Sequence, residues 1–122
     1  MKLSQNHKKI LSLILVIFFS LTLIIEGLDK FLQIFNNNWT TYLNPKLLPF
    51  PIAPELFMKL VGAFEVLLGL SLFTRFRKAA SYAVAIWFVS ISINLLTIRL
   101  NFIAFTDLLR AVGAVLLAKL SD

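Results

Sequence analysis

The chain has 122 residues, 59% of them hydrophobic and only 15% charged, with a net charge of +6 and a mean hydropathy of +0.87. Soluble domains run near 45–50% apolar and about 25% charged, and one of this size could hardly hide so much apolar surface, so the expected solvent is a bilayer. Four spans of about 20 residues would use about 80 of them, which excludes a separate soluble catalytic domain.

Other chemistries are excluded by what the chain lacks. There is no cysteine, which removes disulfides, thiolate nucleophiles and Cys-ligated zinc. His7 is the single histidine, so neither a bis-histidine haem nor a His-rich metal site can form, and no metal site is expected. No glycine-rich phosphate loop appears, and no autonomous catalytic motif. The basic balance is read as topology, with no nucleic-acid partner.

In chain order, a basic leader with Lys2, Lys8 and Lys9 precedes an apolar run from about residue 10 to 28. No small-residue cleavage pattern follows, and the amphipathic pattern continues through Phe31, Ile34 and Phe35, so this is an uncleaved first span. Asn36, Asn37 and Asn38 stop it. The segment 36–53, with Pro45, Pro49 and Pro51, cannot be a continuous helix. Its Trp39 and Tyr42 suit a membrane interface, so the loop lies in the headgroup zone or folds back over the bundle. The second span covers about 54–73, opening at Pro54. A basic turn at Arg75, Arg77 and Lys78 leads to a third span of about 79–98 and a fourth of about 103–120. The fold class is therefore an all-α integral membrane four-helix bundle, one domain over 1–122. Lys2, Lys8, Lys9, Arg75, Arg77, Lys78 and Lys119 fall on one side, which places both termini in the cytoplasm and the Pro-rich loop outside.

The remaining charges are balanced and lie in or above the other half of the membrane. On the second helix Glu55, Lys59, Gly62, Glu65 and Gly69 share a face within about 120°, joining charge to glycines that permit close helix approach. On the fourth, Asp107, Arg110, Ala111, Ala114 and Ala118 share one within about 100°. On the first, Glu26, Asp29 and Lys30 share a similar arc above Thr22. The simplest assembly points the three stripes at one another. Glu65, read as near the bilayer midplane, needs a partner, a proton or water, since an isolated charge there costs at least ~2.5–3.5 kcal/mol. Arg110 and Lys59 are its expected bases. Glu65, Lys30, Asp107 and Arg110 would line a polar pocket, with Glu26 and Lys59 nearby. Gly62, Gly69 and Gly113 are expected at close helix contacts. Ser90 and Asn94 share a face and suit interhelical hydrogen bonds, whereas Phe18, Phe19 and Phe88 suit core or lipid contact. These residues leave three readings open: charges that only fix helix register, a pocket for a ligand headgroup, proton or quinone carbonyl, and an interface with a partner subunit.

Three stretches resemble the DoxX-like family of small bacterial membrane proteins: Gly27-Leu28-Asp29-Lys30-Phe31, the segment 48–75 with its core GAFEVLLGL from Gly62 to Leu70, and Asp107-Leu108-Leu109-Arg110. Thr106 stands where the family usually has the arginine of an Arg-Asp pair. The resemblance implies a four-helix, multi-pass protein of the bacterial plasma membrane. Some relatives are subunits of thiosulfate:quinone oxidoreductase, and others are linked to redox complexes. It implies an accessory or quinone-interacting subunit with no intrinsic cofactor, which would hold a quinone or a partner that supplies the cofactor; the expected partners are the lipid bilayer and a redox subunit or, because four small helices seldom stand alone, a second copy. The lack of cysteine argues against thiol handling. Alternatives are a purely structural or assembly protein and a small lipid or solute transporter. The apolar stretch Leu11–Leu21 and the Ala-Val-Leu end of the fourth span leave no polar path for the latter.

Overall fold

The computed structural model describes residues 4–121; Lys2, counted above among the bases of the terminal end, and Asp122 lie outside the described residues. Four helices form a bundle, and no strand occurs among the described residues: α1 (Gln5–Leu32), α2 (Pro54–Ser71), α3 (Arg77–Thr97) and α4 (Asn101–Leu120). α1 is longer than its apolar run, because Ser4 caps it by accepting from the His7 backbone N–H and so draws the basic leader into the helix. Two helices, α1 and α3, are long and apolar enough to cross a membrane.

The ends of the helices follow from local chemistry. At the far end of α1, Gln33 takes a left-handed conformation and its N–H bonds Asp29 O (2.7 Å). The Asp29 carboxylate then accepts the backbone N–H groups of Ile34 (2.7 Å), Phe35 (2.9 Å) and Asn36 (3.0 Å), turning the chain back over the bundle. Pro54 begins α2, where its missing N–H is not needed. α3 ends with Arg99 at φ 63°, with Arg99 N–H on Leu96 O and Leu100 N–H on Leu95 O, the turn that a glycine would make most easily.

Packing divides the bundle into two pairs, α1 on α2 and α3 on α4. In the first pair the backbones nearly touch: a Cβ at Gly27 would fall 2.5 Å from Gly62 O, and one at Gly62 2.5 Å from Gly27 O. Gly69 sits against Ser20 O and Ile24, as the close-packing expectation requires. The second pair uses small residues on α4, where Ala104, Ala111, Ala114 and Ala118 are buried, and Ser92 of α3 donates to Ala104 O (2.8 Å). The pairs meet through Phe19, which packs on Phe88 (centroids 6.1 Å apart) and beneath Gly113. Val16, Leu23, Leu68, Leu72, Val84 and Leu117 complete a dry core in the half nearer the termini. The outer surface is apolar over much of its area, with Leu13, Ile14, Phe18, Leu67, Ile86 and Val112 among many large side chains left exposed.

Candidate functional site

The segment between α1 and α2 does fold back over the bundle. It forms two single 3₁₀ turns, Trp39–Tyr42 and Pro45–Leu47. Trp39 is pinned to the first helix by its indole N–H on Asp29 Oδ2 (3.0 Å). Asn94 of α3 holds the loop from the other side: its Oδ1 accepts Asn44 N–H (2.9 Å) and its Nδ2 donates to Tyr42 O (2.6 Å). Asn94 therefore ties helix to loop, not helix to helix, and Ser90 bonds only Ile86 O of its own helix. The interhelical hydroxyl is Ser92, two residues away on the face toward α4.

Beneath this cover lies a cavity of about 470 Å³, within the range of small-molecule sites. Glu26, Lys30, Glu65, Asp107 and Arg110 all line it, so five of the six residues expected in the pocket are together. Lys30 Nζ meets Glu65 Oε1 at 2.5 Å, joining α1 to α2, and both side chains are almost wholly buried. Trp87 Nε1 donates to the second Glu65 oxygen (3.2 Å), and Lys30 also reaches Glu26 O (3.4 Å). Arg110 bridges Glu26 (3.2 Å) and Asp107 (3.6 Å), joining α4 to α1; this pair is about one third exposed and correspondingly weaker. Lys30 lies over the Trp39 ring (4.0 Å to its centroid), a further partner for its charge.

Two expectations are corrected. The base that neutralises Glu65 is Lys30, not Arg110 or Lys59. Lys59 is exposed and does not line the cavity, and Glu55 is exposed as well. The reason is angular: at 100° per residue Lys59 stands about 120° from Glu65, while Met58, Gly62 and Gly69 lie within about 60° of it. A shared third of a helix circumference is too wide to be one buried face. Glu65 is also off-centre, since α2 ends at Ser71, six residues after it.

Aromatic and apolar side chains stand among the charges. Trp39, Tyr42, Phe57, Met58, Trp87 and Phe88 supply an aromatic and apolar surface beside the ionised one. A signal for Trp87 was present: it lies seven residues before Asn94, on the face that Ser90, Ile91 and Asn94 share, and all four line the cavity. Counted formally, the lining holds three acids and two bases, so the site carries one carboxylate more than its cations neutralise. It offers N–H donors on Lys30, Arg110 and Trp87 and carboxylate acceptors within one small volume. Among the described residues, no group of His, Cys, Asp and Glu is arranged to hold a metal ion. Compared with family models, curated proteins and solved structures, the chain matches none.

Proposed function

We propose that this is a multi-pass protein of the bacterial plasma membrane, DoxX-like in type, that binds a quinone in the cavity under the α1–α2 loop and serves as an accessory subunit of a membrane redox system. The family part of this reading rests on the short motifs around Lys30, Glu65 and Asp107 alone. The membrane part is supported by the two apolar helices of spanning length and by the breadth of exposed large apolar side chains, far beyond the patches that soluble monomers leave in water.

The observation that carries the ligand is the mixed lining of the cavity, in which ionised and aromatic side chains meet. A quinone is an apolar ring with carbonyl oxygens that become hydroxyls on reduction. Lys30 and Arg110 can donate to the carbonyls, Glu26 or Asp107 can accept from the hydroxyls, and Trp87 and Phe88 can flank the ring. The chain would hold and orient such a ligand; electrons would have to come from a partner, as nothing in the chain carries them. The packed core below, with Phe19, Leu23, Leu72 and Leu117 fully buried, weighs against a transport path through the bundle.

A second reading is favoured by the ion pairs themselves. Lys30–Glu65 and Arg110–Glu26 cross between helices and could serve register alone. Titration separates the two. A soluble ubiquinone or menaquinone analogue, added to the protein in nanodiscs, is expected to quench Trp87 and Trp39 fluorescence with saturation. Arg110→Gln is expected to weaken that binding by about tenfold, the loss of one charge-assisted hydrogen bond. Absence of saturable quenching in the folded wild type would leave the structural reading standing.

A further inference from the structure

At the end of the bundle opposite the cavity a second, open cleft of about 730 Å³ lies between the start of α1, the α2–α3 turn and the end of α4. Lys8, Lys9, Arg75, Arg77 and Lys119 line it, and among the described residues no carboxylate does. None of these five bases makes an ion pair among the described residues. Two helices begin at this end, α1 at Gln5 and α3 at Arg77, and neither has an acidic residue in its first turn. α2 and α4 end here as well, so the helix dipoles largely offset one another and the excess positive charge comes from the side chains. Arg77 is held in place by its Nε–H on Leu72 O (2.8 Å). Toward the bundle the lining changes to Ser12, Leu13 and Leu120. Leu13 is 57% exposed and continues into the exposed strip of Ile10, Ile14 and Ile17 on α1.

Charge around a polar cleft and an exposed apolar strip leading away from it along α1 match a lipid molecule, headgroup first. We propose that this cleft is a binding site for an anionic phospholipid of the leaflet on the side of the termini, with the two-phosphate headgroup of the cardiolipin class as the best electrostatic match to its five clustered bases. Isolated bases at this end would need no more than the general positive-inside preference. Five of them converging from three segments on one concavity, with acids absent from the lining, form a site. This inference rests on the membrane reading above but is independent of what occupies the cavity at the other end.

The test is native mass spectrometry of the detergent-purified full chain, after equilibration with equal amounts of cardiolipin, phosphatidylglycerol and phosphatidylcholine. Wild type is expected to retain cardiolipin over phosphatidylcholine by on the order of tenfold or more, with phosphatidylglycerol between them. The fourfold variant Lys8→Gln, Lys9→Gln, Arg75→Gln, Lys119→Gln spares Arg77 and its bond to Leu72, and is expected to lose that preference while staying folded. A control with a similar loss of charge at the other end, Lys46→Gln, Lys59→Gln, Arg99→Gln, is expected to keep it. Equal retention of the three lipids by wild type, or an unchanged preference in the cleft variant, would overturn the proposal. Displacement of cardiolipin by inorganic phosphate would also overturn it, reassigning the cleft to a free anion. A chain that stays monodisperse without detergent and holds no lipid would remove the membrane reading along with it.

Discussion

The two ends of the bundle use the same side-chain chemistry in opposite ways. At the loop end, acids and bases from α1, α2 and α4 are turned inward, paired across helices and covered by the loop through Asp29 and Asn94. At the terminal end, the bases that line the cleft make no ion pair among the described residues. The first arrangement costs desolvation and is offset by pairing inside, Lys30 with Glu65 and Arg110 with Glu26 and Asp107. The second leaves its charges hydrated and needs its counter-ions from outside. Interior pairing makes a site specific to what fits the cavity, whereas exposed bases make a surface specific to the charge of its surroundings.

The comparison breaks first at the buried pair. Lys30→Ala leaves Glu65 buried without its cation and is expected to destabilise the protein by about 3–5 kcal/mol, read as thermal unfolding in detergent. Lys30→Met with Glu65→Leu should recover most of that loss. A double variant as unstable as the single one would show that the pair does not act as a unit. Next comes the spacing that allows the pair to form. Gly62→Val places atoms against the Gly27 carbonyl and should cost about 1–3 kcal/mol while separating Lys30 from Glu65. Asp29→Asn should loosen the loop cover, with a loss of about 1–2 kcal/mol from weakened charge-assisted hydrogen bonds and faster proteolysis between residues 34 and 44. The smallest effect belongs to the other end: Lys8→Gln with Lys9→Gln should change stability by no more than about 0.5 kcal/mol. A large loss there would erase the distinction between the ends.

Much of the helical framework was legible because a 3.6-residue period and an apolar run of spanning length leave few alternatives. The convergence of Glu26, Lys30, Glu65, Asp107 and Arg110 could be anticipated from their faces alone. What the faces do not carry is partner choice: they point to Arg110 and Lys59, whereas the Gly27–Gly62 contact sets the depth of α1 against α2 and brings Lys30, 35 residues from Glu65 in sequence, to it. Lys59 misled because its angular distance was tolerated as proximity. Asp29 looked like another intramembrane charge, but its work is to cap the chain beyond α1, which depends on where the loop goes. The partners of Trp87 and Asn94 are illegible for the same reason, since Glu65 and the loop at Tyr42 and Asn44 lie on other segments.

If the cavity beside Lys30 and Glu65 holds a quinone, as proposed, lipid extraction from the purified protein will recover it. Wild type is expected to carry quinone in near-stoichiometric amount. A variant that narrows the cavity without touching an ion pair, Ile91→Phe, should remain folded by size-exclusion chromatography and carry far less. A folded wild-type protein that yields no quinone above the level of an unrelated membrane protein prepared in parallel would contradict the account.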